Sequence, residues 1–336
     1  MDIRHEIAGW TTGGGAAPSE PVDSYTISTD GSIAVTVWSY GATLVEVLVE
    51  DNMGHPANVV KRLPDLAAYE NRALNAYVGC TMGRFCRCVA EGRFVLDGVE
   101  YTLDRNEGLH HVHGGPDGFD RRVWRSRVEE TQDEISVVFL LISPDGDQGY
   151  PGEVAVEAAY RLHESGRLTF EYTATTTAPT IVGLTNHAFW NLAGEGTIDD
   201  HVLAVNAARV LRFDDELIPM GGELSPVAGG PLDFRVPRRL GSTRVDNYLV
   251  LDGDRSWTAE LRDPRSGRRM RVTTDQPGFG VYSGDWLAEP RTGLCLAASA
   301  WPDAPNLPRA PSVRLDPGTT YAHRTLHEFP PAVGTA

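Results

Sequence analysis

The chain has 336 residues and a formal net charge of −16, with 41% hydrophobic and 23% charged residues, the make-up of an ordinary soluble globular protein. That acidic balance argues against nucleic acid and against an anionic membrane as partners, because both repel negative charge. Thirty-five glycines and 22 prolines spread along the chain imply many turns and short elements, which favours strands over helices.

Residues 1–24, with a Thr-Thr-Gly-Gly-Gly-Ala-Ala-Pro run, read as a loose N-terminal arm. From Tyr25 the pattern turns to β: strands are predicted over 33–38 and 43–49, separated by a Tyr40-Gly41 turn. The best short helix is 65–75, where Leu66, Tyr69 and Leu74 lie near one face. Residues 93–103 make a hairpin about an Asp97-Gly98 turn. Long strands are expected at 124–129, 134–142, 153–162 and 167–177, and shorter ones at 202–205, 248–251, 257–262, 269–273, 280–283 and 293–298. No repeat and no linker divides residues 25–330, so they are expected to form one large all-β sandwich domain whose strand order is not derivable.

Cys80, Cys86, Cys88 and Cys295 fit neither a zinc spacing nor a dense disulfide framework. Cys86 and Cys88 alternate along a probable strand and should face one side. With no charged-then-apolar leader and no 18-residue apolar run, a cytoplasmic protein with reduced thiols is expected. Lys61 is the only lysine, and its strand-end setting gives no reason to expect Schiff-base chemistry.

The chemistry concentrates in two stretches. Leu184-Thr-Asn-His-Ala-Phe-Trp-Asn-Leu-Ala-Gly194 sets His187 between Asn186 and Asn191, beside Phe189 and Trp190. Rings to cover a sugar's apolar face, amides to bond its hydroxyls and a histidine to move a proton are the parts of a carbohydrate site. The same residues would also serve as a strand end with core rings and a satisfied histidine. In Leu109-His-His-Val-His113 an extended backbone would put His111 and His113 on one face, with His110 turned away. A third metal ligand is missing at a suitable spacing, so no metal and no cofactor are expected. Gly114-Gly115 suggests that a ligand approaches the backbone there. As bases, Asp246, Asp285 and Asp303 stand beside aromatics or glycines, where aspartates commonly cap turns.

These residues carry a resemblance to the aldose 1-epimerase (galactose mutarotase) family over nearly the whole chain. It rests on Tyr40-Gly-Ala-Thr43, Gly83-Arg84 with Gly92-Arg-Phe94, His113-Gly-Gly115, Pro144-Asp-Gly-Asp-Gln-Gly-Tyr-Pro-Gly152, Thr185-Asn-His187 with Asn191-Leu192, Gln276-Pro-Gly278, Tyr282-Ser-Gly284 and Trp301-Pro-Asp303. The resemblance implies a single large antiparallel β-supersandwich. It also implies a mechanism in which a histidine at His187 protonates the ring oxygen while a glutamate takes the anomeric proton. The ring then opens and recloses on the other face.

The departures from the pattern fall on that chemistry. The glutamate position holds Ala297, the Asn-Arg pair that binds hydroxyls reads Arg87-Cys88, and a glutamine position holds Gly280. His187, His113 and Asp246 remain, so these are the expected catalytic residues, with Arg87, Asn186, Trp190, Tyr282 and Asp285 as substrate binders. Three readings follow: an acid–base isomerase of a sugar-like or pyran-containing metabolite, in secondary metabolism; an ordinary hexose mutarotase with a relocated base; or a silent carbohydrate-binding protein. The roomier, less polar pocket favours the first. The partner is then a small molecule, and Asp246 is preferred to Asp285 as base.

Overall fold

The computed structural model describes residues 1–13, 18–30, 33–253 and 257–331. Its main elements are three antiparallel sheets of five, nine and six strands. The five-stranded sheet is a meander in chain order: Asp2–Trp10, Pro21–Ser28, Ile33–Trp38, Thr43–Glu50 and Pro56–Asn58. The strand Ile33–Trp38 shows why: Ile33, Val35 and Val37 are buried while their neighbours are part-exposed, the period-2 pattern of a half-buried strand. The nine-stranded sheet runs from Arg125–Glu130 through Glu134–Ser143, Val154–His163, Leu168–Thr176 and Tyr321–Glu328, then to Arg269–Thr274, Ala259–Arg262, Val202–Val205 and Arg238–Arg239. One continuous core joins the buried faces, with Val35, Val137, Leu168, Leu203 and Met270 among its fully enclosed members.

Two expectations change. The start of the chain is not a loose arm: Asp2–Trp10 pairs antiparallel with Pro21–Ser28, from Asp2 opposite Ser28 to Trp10 opposite Pro21. Its hydrogen bonds come from an edge rather than from burial, because most of its side chains are exposed, so its sequence lacks an alternating signature. Residues 14–17 of that arm lie outside the described residues. The helix is also shorter than predicted. Leu66–Glu70 starts at an Asp65 cap, whose carboxylate accepts from Ala68 N at 2.9 Å, and stops where Asn71 turns extended.

The strand Tyr321–Glu328 lies between Leu168–Thr176 and Arg269–Thr274 and links the two halves of the large sheet. Its inward side chains are His323, Thr325 and His327. His323 is bonded through Nδ1 to the Leu184 carbonyl and through Nε2 to Thr325. Burial lowers His323 to about 4 and His327 to about 3, and it lowers His111 to about 4 as well. These rings are neutral in the folded protein, while in the unfolded chain they protonate near 6.5. Their contribution to stability is therefore complete above about pH 6.5 and is lost as pH falls toward 4. Thermal denaturation followed by circular dichroism should show Tm falling steeply across that interval. His323→Gln combined with His327→Gln should flatten the slope even if it lowers Tm at pH 7.

Candidate active site

The six-stranded sheet supplies the site's floor. Its order is Phe189–Trp190, Leu294–Ser299, Gly278–Tyr282, Asp246–Val250, Arg209–Phe213 and Pro219–Pro226. The register places Phe189, Cys295, Tyr282 and Asp246 in one cross-strand row, and Ala297, Gly280 and Tyr248 in the next. Residues two apart on a strand share a face, so both rows look the same way. Above them, Tyr77, Arg87, His113, His187, Asp246, Tyr282 and Trp286 are among the residues around a cavity of about 390 Å³.

His113 and His187 meet there edge to face, with ring centroids 5.1 Å apart at an interplanar angle of 84°. Tyr77 lies against both, 4.7 Å from His113 and 6.1 Å from His187 by centroid. The backbone N–H of Arg87 donates to Nδ1 of His113 at 3.2 Å, so a neutral His113 carries its proton on Nε2. Nδ1 of His187 lies 3.8 Å from Sγ of Cys295. Burial pushes the Cys295 thiol up to about 12, so it stays protonated and can donate to that nitrogen, an arrangement in which the ring proton of His187 is on Nε2.

Both histidines are held neutral. Burial, followed by the Arg87 charge, lowers His187 to about 4. Burial, then His187 and Arg87, lowers His113 well below the ordinary range. Among the described residues no carboxylate pairs with either ring, and the charge that acts on both is the Arg87 guanidinium. Asp246 stands 3.7 Å from Nη1 of Arg87 in a loose ion pair. Burial raises its carboxyl above the ordinary value against the opposing effect of Arg87.

Two non-glycine residues with positive φ shape this arrangement. His113 has φ 54° and Arg87 has φ 65°, a conformation that costs energy for residues other than glycine. Each breaks an alternation read from the sequence. The strand His111–Val112 ends before His113, so His111 and His113 do not share a face. His111 is buried, bonded to Tyr150 Oη at 2.7 Å and to the Asp104 carbonyl at 2.6 Å, whereas His110 lines the cavity and lies 3.5 Å from Glu216. Cys86 is likewise buried with Cys80 and Met82, while Cys88 lines the cavity.

Among the other predicted residues, Arg87, Asp246 and Tyr282 line the cavity. Asn186 does not: its amide donates to the Gly79 carbonyl and to Tyr160, and its carbonyl accepts from Ala188 N. Trp190 is 1% exposed and packs on His327 inside the core. Asp285 accepts a short hydrogen bond from Ser283 and sits 3.5 Å from Arg291 and 3.6 Å from Arg244, so it is tied into the loop rather than lining the cavity. Asp303 accepts from Ala90 N and Asn306, a cap as its turn motif suggested. Gly114 is glycine because a Cβ would lie 1.8 Å from the Gly83 carbonyl; protein backbone, not ligand, occupies that side.

Tyr77, Glu216, Leu217 and Trp286 were not anticipated as lining residues. Glu216 and Leu217 come from the turn between Arg209–Phe213 and Pro219–Pro226, a hairpin without a clear sequence signal. Trp286 is 84% exposed at the rim, and its neighbour in a Tyr-x-Gly-Asp-Trp run was the only hint. A larger hollow of about 540 Å³ lies elsewhere, near Leu96 and Pro151. Its carboxylates are engaged: Asp97 with Arg314, and Asp145 with Gly152 N. Among the described residues no group of histidine, cysteine and acidic side chains forms a metal site, and no helix is long and apolar enough to cross a membrane.

With this geometry, similarity to known proteins becomes informative about chemistry. The family model for aldose 1-epimerase matches residues 23–328. Galactose mutarotase of Bos taurus is 36% identical over 92% of this chain and 94% of its own length. Aldose 1-epimerase of Escherichia coli strain K12 is 31% identical over 94% and 97%. Among solved structures, a GalM/aldose epimerase homologue from C. elegans superposes with a TM-score of 0.86 at 27% identity, covering 92% of this chain and 98% of that one. Galactose 1-epimerase from Lactobacillus acidophilus NCFM gives 0.86 at 26% identity over 98% of each. The chain thus belongs to the aldose 1-epimerase family, a family of sugar isomerases, and has its β-sandwich fold.

Proposed function

We propose that the protein is a mutarotase-like acid–base isomerase whose substrate is a sugar-like or pyran-containing cyclic hemiacetal other than a simple hexose, in a biosynthetic rather than a catabolic role. One observation carries this reading: His187, His113 and Asp246 share a cavity, while Arg87 lies against Gly280, the cross-strand partner of Ala297. A Cβ on Gly280 would stand 3.4 Å from Arg87 Nη1 and 3.6 Å from its Cδ. The guanidinium therefore lies at the position that the resemblance gives to a glutamine, one strand over from the position it gives to a glutamate.

In this reading Asp246 accepts the proton of the anomeric hydroxyl, and the C–O bond to the ring oxygen breaks. His187 delivers a proton to that oxygen, while the Nε2–H of His113 hydrogen-bonds it. Rotation of the opened carbonyl and reversal of both transfers give the other anomer, with no net change in protons. Tyr282 and Trp286 border the ligand, and the partner is a small molecule with no cofactor.

Fresh α-D-galactose and α-D-glucose followed by polarimetry test the specificity. Only trace acceleration is expected, because the positions that bind hexose hydroxyls read Arg87-Cys88 and Gly280, and the glutamate position that serves hexoses, a base worth about 10²–10⁴ in rate, holds Ala297. A rate equal to that of ordinary mutarotases would sink this reading in favour of a hexose enzyme. Ala297→Glu should add little, since a carboxylate opposite Gly280 would pair with Arg87 instead of taking a proton. A large gain from that single change would show that the cavity still fits hexoses.

A further inference from the structure

Arg87 differs from the other enclosed arginines. Arg84 spends its guanidinium on the carbonyls of Ser143, Pro144, Pro151 and Gly152 and on the Ser143 hydroxyl. Arg268 does the same with the carbonyls of Val49, Leu192 and His55. Arg87 is only 15% exposed, yet among the described residues its guanidinium has one protein partner, Asp246, at 3.7 Å. A guanidinium carries five N–H donors in a fork that fits a carboxylate bidentately. Most of that capacity is left for whatever enters the cavity.

We infer that the substrate carries a carboxylate close to its reacting hemiacetal carbon, and that Arg87 binds it. This inference rests on the isomerase reading and adds the substrate's charge to it. At Gly280, whose strand partner Ala297 holds the position where the resemblance sets an acidic side chain against the anomeric hydroxyl, the floor presents a cation. A ligand seated on it meets the opposite charge. A monoanion fits better than a phosphate ester, because one guanidinium faces the cavity while Asp246, Glu107 and Glu216 also line it, and a phosphate brings about two negative charges. The overall charge of −16 does not override this, since exposed charges are screened beyond about 8 Å at physiological salt. Anion binding would also offset the charge that helps keep His187 unprotonated, so substrate would favour the acid form of its own proton donor.

The test compares each acid with its neutral ester on the intact protein: N-acetylneuraminate and D-galacturonate, each beside its methyl ester. Binding is measured by calorimetry and anomer exchange by NMR in the same samples. At least one acid should bind about 10-fold or more tightly than its ester. Arg87→Gln should erase the difference and Arg87→Lys should retain part of it, each variant being checked for native circular dichroism. If neither acid outbinds its ester, or if the preference survives Arg87→Gln, the carboxylate assignment is overturned. Arg87-dependent binding of an acid without any anomer exchange would keep the carboxylate site and remove the isomerase reading. Anomer exchange on the esters as fast as on the acids, with no difference in binding, would keep the isomerase reading and remove the carboxylate site.

Discussion

His187→Asn is expected to lower turnover by about 10²-fold or more while leaving substrate affinity nearly unchanged, the signature of a group used in the transition state rather than in binding. The ring is lowered to about 4, so at pH 7 only roughly one molecule in 10³ of the free protein holds it protonated. Wild-type turnover should therefore rise as pH falls from 7 toward 5, where the acid form becomes more populated, until protonation of Asp246 opposes the gain. The variant lacks the titrating donor and should not show that rise. Steady-state kinetics across this pH range on the best substrate of the acid and ester panel would check both parts. Equal losses in affinity and turnover, with the acid-side rise intact, would make His187 a binding residue.

Much of the fold was legible because burial there follows the simple alternation of apolar and polar side chains, as in Ile33–Trp38 and Val154–His163. The strand Tyr321–Glu328 was missed for the opposite reason: its inward positions hold His323, Thr325 and His327, which look solvent-facing until their bonds and burial are known. Asp2–Trp10 was missed because an exposed edge strand needs backbone pairing, not an apolar face. In the site, His113, His187, Arg87, Asp246 and Tyr282 were found through motifs, and the cavity gathers all five. Asn186 and Trp190 stand in the same motif yet serve the scaffold, since spacing along a chain does not tell which side of a short strand faces a cavity. The positive φ at Arg87 and His113 carries no glycine signal, so the break in alternation that turns both into the site was invisible.

The second large effect concerns the base. Asp246 is expected to carry this role, because it lines the cavity beside Tyr282 and has only a loose 3.7 Å partner in Arg87. Its carboxyl is raised by burial, which makes it a better proton acceptor than an ordinary surface carboxylate while it remains ionised. Asp285 accepts a hydrogen bond from Ser283, lies near Arg244 and Arg291, and is not among the residues lining the cavity, so it is less well placed to act as the base. Asp246→Asn keeps the size of the side chain and removes the charge, so turnover should fall by about 10²–10⁴-fold with the fold unchanged by circular dichroism. Asp285→Asn should affect stability more than rate. The measurement that bears most directly on an acid–base isomerase built around a displaced base is the anomer-exchange rate of these two variants beside the wild type, on the same substrate and at the same pH. The account predicts loss in Asp246→Asn and near-normal exchange in Asp285→Asn; full activity in Asp246→Asn would contradict it.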